Sequence, residues 1–316
     1  MMLAQGIYGE YTMARIPGLL VTTKGTLIRY CEMRRTRSDW ASIDIEICRS
    51  TDAGASWRTS LLIAGKGETL NNPVMVAYGD TLIFLYCKNY RTIYKMESTD
   101  DGLTFSDATE VRLNTDFYYS VLAVGPGHGI VKGDRILVPI WFAHNEEDAS
   151  AHRPSTIATI YSDDGGREWR LGERLFCDEL INPSECALAL SGDGEVMISI
   201  RHEGAQRCRA LAFSDDGISG WHGLRFERGL PDPICMGSMT HDGKRIFHAN
   251  CACTDKRTNL TVKVSDDGFL TYKAFPVSDI GGYCDIAYHN GTLFVLYEKP
   301  YEPDHIELYF EALDME

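Results

Sequence analysis

The stretch Ser162–Trp169 reads S-D-D-G-G-R-E-W: a serine, an aspartate two residues later, a glycine turn and a terminal aromatic residue. The same form recurs in four further copies. They are S-T-D-A-G-A-S-W from Ser50, S-T-D-D-G-L-T-F from Ser98, S-D-D-G-I-S-G-W from Ser214 and S-D-D-G-F-L-T-Y from Ser265. Aspartate that bonds nearby backbone, glycine that accepts positive φ and an aromatic ring that packs beneath them predict a hairpin turn. A repeat of roughly fifty residues is typical of a propeller.

The aspartates of these turns, Asp52, Asp100 and Asp164 among them, could instead be catalytic or calcium-binding residues. We favour the structural interpretation, because one active site has no use for five copies of its acid. The repeat therefore predicts architecture, and the chemistry has to be sought elsewhere in the chain.

A second, independent repeat predicts the number of blades. A turn glycine, usually beside Asp or Asn, precedes an apolar strand six times. These glycines are Gly25, Gly79, Gly133, Gly194, Gly243 and Gly291. Asp-Gly or Asn-Gly between β-rich runs is the strongest short-range hairpin pattern. The six hairpins predict six blades, each of four antiparallel strands.

The strands of the first and last blades follow from these turns. In blade one they are Arg15–Val21, Leu27–Met33, Ile43–Arg49 and Arg58–Ile63. In the last blade they are Tyr283–Tyr288, Leu293–Tyr297 and Ile306–Ala312. That blade is one strand short, so we expect Ile7–Thr12 to close the ring by pairing with it. Without helical periodicity or linkers, residues 1–316 are expected to form one all-β domain, a six-bladed β-propeller.

Composition narrows the possible partners. The chain has 316 residues, of which 44% are hydrophobic and 24% charged, so it can bury a large core. A net charge of −14 without any basic run disfavours nucleic acid and anionic membranes as partners. No apolar run is long enough to span a membrane, and the N-terminus lacks the pattern of a signal peptide.

The ten cysteines are scattered along the chain without a metal-binding spacing. Cys31, Cys48 and Cys87 lie in apolar strand-like runs, where cysteine behaves as a small hydrophobic residue. We therefore expect reduced thiols in a cytoplasmic protein.

Polar residues that flank strands are the candidates for a site, because strands of different blades converge at the axis of a propeller. Six such residues come from at least four blades and are expected to face one cup. They are Arg15, Arg34, Glu185, Arg201, Arg257 and Tyr283.

The motifs around these residues resemble the sialidases (neuraminidases), which are six-bladed propellers with repeated Asp boxes. The motifs are R-I-P from Arg15, C-E-M-R ending at Arg34, S-D-W-A-S-I-D-I from Ser38, V-G-P-G-H-G from Val124, P-S-E-C-A-L-A-L around Glu185, S-I-R ending at Arg201, R-T-N-L-T-V from Arg257, G-Y-C-D-I-A around Tyr283 and V-L-Y-E ending at Glu298. Together and in this order they cover nearly the whole chain.

The resemblance implies a role for each candidate. Arg15, Arg201 and Arg257 would bind the substrate carboxylate, Tyr283 would be the nucleophile with Glu185 as its partner, Asp39 would be the acid/base, and Arg34 would lie near the ring hydroxyls. Guanidinium groups bind carboxylates bidentately, and sialidases are the glycosidases that use a tyrosine nucleophile. No metal or organic cofactor is needed.

Some assignments leave alternatives open. Asp44 lies near Asp39, but it belongs to the alternating strand I-D-I-E-I, so we favour Asp39 as the acid. Arg34 could instead pair with Glu32 or another acid. Asn72 stands where the family often places an aspartate near the sugar O4, which leaves specificity for ring substituents open.

Further residues are candidates for the walls of the cup. Those for an N-acetyl pocket are Phe117, Tyr118, Trp141 and Phe142, and the histidines His128 and His152 could also line the cup.

The sequence therefore predicts a cytoplasmic exo-α-sialidase acting on a sialylated glycan through a tyrosyl-enzyme intermediate. One alternative keeps the machinery for a deaminated sialic acid or another ulosonic acid. Another is a sugar-binding propeller without catalysis. The oligomeric state is not predicted.

Overall fold

The structure is a computed structural model that describes residues 10–302 and 304–316. Within these residues there are 25 β-strands and no helix. In chain order the strands are β1 (Met13–Val21), β2 (Leu27–Arg34), β3 (Ile43–Ser50), β4 (Arg58–Ile63), β5 (Leu70–Tyr78), β6 (Thr81–Lys88), β7 (Thr92–Ser98), β8 (Thr109–Val111), β9 (Val121–Val124), β10 (Gly127–His128), β11 (Ile130–Lys132), β12 (Arg135–Ala143), β13 (Ser155–Ser162), β14 (Arg170–Leu171), β15 (Cys186–Leu190), β16 (Val196–Ile200), β17 (Cys208–Ser214), β18 (His222–Pro231), β19 (Ser238–His241), β20 (Ile246–Cys251), β21 (Thr258–Ser265), β22 (Lys273–Ile280), β23 (Cys284–His289), β24 (Thr292–Glu302) and β25 (His305–Asp314).

These strands form small, mainly antiparallel sheets. One sheet has seven strands in the order β23-β24-β25-β1-β2-β3-β4, and two have four strands each, β15–β18 and β19–β22. The other two are β10-β5-β6-β7-β8, and β11-β12-β13-β14 with β9 also paired to β12. The predicted all-β class is confirmed, and so is the propeller-like arrangement of small antiparallel sheets.

The sheets number five, which differs from the six separate blades that were predicted. The reason is a contact between Met13 of β1 and Ile306 of β25, which pair in parallel and join the first and last groups of strands into one sheet. Half of the predicted closing strand Ile7–Thr12, residues 7–9, lies outside the described residues, and residues 10–12 belong to no strand. The carbonyl of Thr12 accepts a hydrogen bond from the backbone N–H of Ile306 at 3.4 Å.

All six predicted hairpins are present, and each turns at its predicted glycine. The hairpins are β1/β2, β5/β6, β11/β12, β15/β16, β19/β20 and β23/β24. The six glycines have positive φ, from 58° at Gly79 to 90° at Gly243, a region that other residues enter only at a cost. The strand bounds predicted for blade one agree with β1–β4 to within about two residues, whereas β24 runs past the predicted Tyr297 to Glu302.

The repeated Ser-Asp-Gly-aromatic turn is internally hydrogen bonded. Ser162 Oγ donates to Asp164 Oδ1 at 2.7 Å and accepts from the N–H of Gly166 at 2.8 Å. The indole of Trp169 donates to the carbonyl of Gly166 at 3.0 Å, and its ring is buried in the largest apolar cluster. The carboxylate thus serves its own turn, which supports the structural interpretation of the repeat.

A buried polar cluster ties the innermost strands together. Asp285 of β23 accepts hydrogen bonds from the N–H of Leu19 at 2.7 Å and from Ser238 Oγ at 2.5 Å. It also bonds Nδ1 of His128 at 2.8 Å. The partners lie on β1, β19 and β10, so one carboxylate connects four strands from different parts of the chain.

Chain direction separates the two ends of the sheets. The glycine hairpins follow the first strand of each group, and the Ser-Asp-Gly turns follow the third, so both kinds of turn lie at the same end. The start of each first strand, the end of each second strand and the loop to the third lie at the opposite end. The predicted site residues all belong to this opposite end: Arg15 and Asn72 near the starts of β1 and β5, Arg34 at the end of β2, Asp39 in the loop from β2 to β3, Glu185 before β15, Arg201 after β16, Arg257 before β21 and Tyr283 before β23.

Candidate active site

A cavity of about 220 Å³ opens at this end of the sheets. All eight residues predicted from the sequence line it. They are Asp39, Glu185 and Tyr283, together with Arg15, Arg34, Asn72, Arg201 and Arg257. The structure therefore brings together side chains that are remote in the chain, as the topology requires.

Tyr283, Glu185 and Arg201 form a hydrogen-bonded triangle in this cavity. The phenol of Tyr283 donates to Glu185 Oε1 at 2.6 Å, and one guanidinium nitrogen of Arg201 lies 2.7 Å from the phenolic oxygen. The same nitrogen forms an ion pair with the other carboxylate oxygen of Glu185. Backbone pairing fixes the two partners, because the N–H of Arg201 bonds the carbonyl of Glu185 across the β15/β16 hairpin at 3.2 Å.

The environment keeps the phenol of Tyr283 protonated. Burial raises its pKa well above the ordinary value of 10, and the positive charges of Arg201 and Arg257 only partly offset this effect. The negative charge of Glu185 raises the pKa further. In this state Tyr283 is a neutral group with an acceptor for its proton already in contact, which is the arrangement of a nucleophile and its general base.

Two further arginines flank the ring of Tyr283. The guanidinium carbons of Arg15 and Arg257 lie 5.5 Å and 5.2 Å from its ring centroid. Nε of Arg15 donates to Glu298 at 3.1 Å, and Glu298 also accepts from the N–H groups of Ile16 and Tyr283. Glu298 therefore fixes Arg15 and the backbone of the tyrosine at once.

Asp39 is held at the cavity mouth by Arg34. Arg34 donates to Asp39 Oδ1 at 2.6 Å and to Glu32 Oε2 at 2.7 Å, so it pairs with both acids. The side chain of Asp39 is 43% exposed, whereas that of Glu32 is fully buried. Burial would raise the pKa of Asp39, but the charge and hydrogen bond of Arg34 outweigh it and hold the pKa below the ordinary 3.8.

The structure separates Asp39 from its rival Asp44. Asp44 is buried away from the cavity, where it accepts a hydrogen bond from the N–H of Gly65 at 2.7 Å and pairs with Arg35 at 3.0 Å. Its oxygens thus stabilise the neighbouring loop. The preference for Asp39 as the acid at the cavity agrees with this placement.

Asn72 lines the cavity through an unusual backbone conformation. Its φ is +53°, and its N–H donates to the buried carboxylate of Glu32 at 2.8 Å. Glu32 therefore supports both Arg34 and Asn72 from below the cavity floor.

Aromatic side chains form another wall. Tyr90, Trp141 and His152 line the cavity, with ring centroids 5.0 Å apart for Tyr90 and His152 and 5.3 Å apart for Trp141 and His152. Burial lowers the pKa of His152, so its ring is neutral near neutral pH. Trp40 packs on the outer side of this wall, 5.0 Å from Tyr90 and 6.0 Å from His152.

The structure places only some of the other wall candidates at the cavity. Of the four aromatics considered for an acyl pocket, Trp141 lines the cavity, whereas Phe117 and Phe142 pack on each other at 5.1 Å elsewhere and Tyr118 is exposed. Of the two histidines, His152 lines the cavity. The prediction that His128 lines the cup is wrong, because its side chain is only 10% exposed and lies on β10 against Asp285.

Three buried side-chain nitrogens of residues that line the cavity have no hydrogen-bond partner among the described residues. They are Nε of Arg201, Nε1 of Trp141 and Nε2 of His152. Buried polar groups are normally paired, so these three nitrogens are exceptions in this structure.

Two supporting carboxylates, Glu298 and Glu32, were not among the predicted site residues. The position of Glu298 could have been predicted from the hairpin register, because the turn at Asn290-Gly291 places it opposite Tyr283. The backbone N–H of Glu298 donates to the carbonyl of Tyr283 at 2.9 Å. Tyr90 had no such pattern, because it lies in a turn after β6 with φ of +51°.

Three further observations concern the described residues as a whole. No group of three or more His, Cys, Asp or Glu side chains there is arranged to hold a metal ion. No helix of membrane-spanning length and hydropathy occurs among them. The ten cysteines, all within the described part of the chain, are free thiols.

Comparison with known proteins defines the family. Residues 25–279 match the BNR repeat-like domain, which is most of the chain, and the protein belongs to this family. The sialidase of Bacteroides fragilis (strain YCH46) is 28% identical over 82% of this chain and 54% of its own length. The sialidase of Paraclostridium sordellii is 25% identical over 90% of this chain and 81% of its own length. Membership of the sialidase superfamily, predicted from the motifs, is confirmed.

Solved structures share the fold. A Hadza microbial sialidase has a TM-score of 0.82 at 24% identity and covers 97% of this chain and 66% of its own. Trypanosoma rangeli sialidase, in a covalent complex with 2,3-difluorosialic acid, has a TM-score of 0.74 at 19% identity over 95% and 54%. The present chain thus spans about half the length of the B. fragilis relative.

Proposed function

We propose that the protein is an exo-α-sialidase, a retaining glycoside hydrolase that releases terminal sialic acid from a sialylated glycan. The observation that carries this proposal is the triangle of Tyr283, Glu185 and Arg201, with Asp39 in the same cavity. The similar sialidases of B. fragilis and P. sordellii support the same reaction.

The three arginines would bind the substrate carboxylate. Arg15 and Arg257 flank the ring of Tyr283, and Arg201 contacts its oxygen, so an anion between them lies beside the nucleophile. A carboxylate on the anomeric carbon is thereby placed so that this carbon faces the phenolic oxygen.

In the first step Tyr283 Oη attacks the anomeric carbon while its proton passes to Glu185. Asp39, in its protonated form, gives a proton to the leaving glycosidic oxygen, and the bond to the aglycone breaks. A neutral phenol suits this attack, since an anionic nucleophile would approach the substrate carboxylate against charge repulsion.

In the second step water replaces the tyrosine. Asp39, now ionised, takes a proton from the water as it attacks the anomeric carbon, and Glu185 returns its proton to the departing phenolate. Two inversions give net retention. The phenolic proton returns from Glu185 to Tyr283, and the proton that Asp39 gave to the aglycone is replaced by one from water.

The test is release of fluorophore from an aryl α-sialoside by the purified protein. We expect Tyr283→Phe to abolish steady turnover, whereas Tyr272→Phe, a matched control in the turn at the opposite end, keeps it. Equal activity of the Tyr283→Phe and wild-type proteins would refute the tyrosyl mechanism. Binding of sialosides without any turnover by the wild type would favour a sugar-binding propeller.

A related sugar acid is the second candidate. Trp141 and His152 have rings with polar edges and line the wall, and Asn72 supplies an amide instead of a carboxylate. Such a polar wall suits a hydroxyl substituent, as in a deaminated sialic acid, as well as an acyl carbonyl. Higher kcat/KM for the deaminated than for the N-acetylated glycoside would decide for this candidate.

We further propose that the seven-stranded sheet counts as two blades, so that six blades close into a ring. The six hairpins support this count. A crystal structure in which β1–β4 and β23–β25 form one continuous blade would contradict it.

We also propose a cytoplasmic location for the protein, which cell fractionation would test.

A further inference from the structure

We propose that Trp40 is an aglycone platform, on which the sugar that leaves in the first step stacks against the indole. The proposal rests on the proposed function, because it takes Asp39 as the group that protonates the leaving oxygen. Trp40 would then determine which aglycone is preferred among substrates that carry the same sugar acid.

Trp40 lies at the rim of the cavity beside Asp39. It follows Asp39 directly in the loop from β2 to β3, and its side chain is 39% exposed. Its ring packs at 5.0 Å on Tyr90 and at 6.0 Å on His152, which both line the cavity. One part of the indole is thus fixed against the wall while another part remains in contact with solvent.

The loop that carries Trp40 is anchored on both sides. The N–H of Trp40 donates to Ser38 Oγ at 3.2 Å, and Thr69 Oγ1 donates to the carbonyl of Asp39 at 3.0 Å. The N–H of Gly67 donates to Ser42 Oγ at 3.0 Å. A ring held in this way loses little conformational freedom when a ligand stacks on it.

The path of the aglycone follows from the chemistry. The oxygen that Asp39 protonates is the one that links the sugar acid to its aglycone, so the aglycone begins within hydrogen-bond distance of Asp39. The carboxylate of Asp39 is 43% exposed and therefore faces the opening. Beyond it the aglycone meets the rim, where Trp40 presents the flat apolar surface on which carbohydrate C–H groups pack.

The experiment compares two substrates with the same sugar acid. In a sialyl-galactoside the aglycone is a ring that can stack, whereas in methyl α-sialoside it is too small to reach Trp40. Both need a proton from Asp39. We expect Trp40→Ala to lower kcat/KM for the sialyl-galactoside about tenfold, which corresponds to about 1.4 kcal/mol, and to leave the methyl glycoside within about twofold. Trp40→Phe should keep most of the galactoside activity.

The control is Tyr272→Ala, which removes another half-exposed aromatic ring at the opposite end of the sheets. It should leave both substrates unchanged. Equal losses for both substrates in Trp40→Ala would overturn the proposal, because they would show that Trp40 only positions Asp39. No loss for either would overturn it as well.

A binding measurement separates this proposal from the proposed function. In a Tyr283→Phe background, titration calorimetry should show Trp40→Ala weakening the sialyl-galactoside severalfold and the methyl glycoside hardly at all. Should the wild type release neither aglycone, the hydrolase assignment fails, and this binding difference still decides the role of Trp40.

Discussion

The phenolic oxygen of Tyr283 lies 2.6 Å from Oε1 of Glu185, although 98 positions separate the two residues in the chain. The contact joins the residue before β15 to the residue before β23. It exists because both precede the first strands of their hairpins and therefore lie at the same end of their sheets.

Glu185→Gln should lower kcat by about 10²- to 10⁴-fold, the usual contribution of a general base. The amide keeps its size and a hydrogen bond to Tyr283, but it cannot take the phenolic proton. Steady-state kinetics on an aryl α-sialoside measure the effect, with the exposed Glu110→Gln as a matched control. A kcat within threefold of wild type would remove Glu185 from this role.

Asp39→Asn should affect substrates according to their leaving groups. An aryl group departs with little help, so its release should fall far less than that of a galactoside, which we expect to drop by about 10²- to 10⁴-fold. Measuring kcat/KM for both substrates with wild type and variant tests this. A uniform loss would indicate that Asp39 binds the sugar and does not protonate the leaving oxygen.

The pH dependence of the ligand-free enzyme follows from Arg34. Because Arg34 holds the pKa of Asp39 below its ordinary value, the protonated fraction of Asp39 falls as pH rises through the acid range. The kcat/KM for the galactoside should therefore decline with rising pH, and the decline should disappear in Asp39→Asn. An identical decline in the variant would assign the titration to another group.

His128 predicts a pH-dependent contribution to stability. Burial alone would lower its pKa, but the charge of Asp285 and the hydrogen bond to it raise the pKa above the ordinary 6.5. The stabilisation is therefore complete below about 6.5, the unfolded value, and is lost as pH rises through the raised native pKa. Urea unfolding should show His128→Gln losing more stability at pH 6 than at pH 9, whereas the exposed His222→Gln loses little at either. A loss independent of pH would show that His128 acts while neutral.

Trp169 should matter for stability and not for chemistry. Its ring is 7% exposed and belongs to the largest apolar cluster, so Trp169→Ala should cost about 3–5 kcal/mol of unfolding free energy. Urea unfolding measures this cost, and kcat of the folded variant should stay near that of wild type because the turn lies away from the cavity. A variant of unchanged stability but reduced kcat would contradict the structural interpretation of the repeat.

The sequence predicted the local structure well because its turns are chemically distinctive. Glycine fixes each hairpin, and each hairpin sets the register of two strands, so Glu185 and Arg201 face each other by local rules. Six of the eight residues that line the cavity were predicted from their places at strand ends, whereas Asp39 and Asn72 were predicted from the resemblance. The resemblance to sialidases then supplied their expected roles.

What could not be predicted depends on contacts between distant segments. The parallel pairing of Met13 with Ile306 joins two groups of strands into one sheet, and no local sequence pattern predicts this pairing. His128 follows a glycine in a motif that is typical of an exposed loop, but its side chain instead forms a hydrogen bond with the buried Asp285. The wall around His152 depends on Tyr90 and Trp141, which reach it from two different sheets.

The separation of the two ends has a practical consequence. The six glycine turns that shape the fold and the cavity that would meet a glycan lie at opposite ends of the same sheets. A tag, a surface linker or an inserted peptide at Gly194 would therefore leave the opening free for bulky glycoproteins. Directed evolution could likewise randomise the loops at the cavity without touching the turns on which foldability depends.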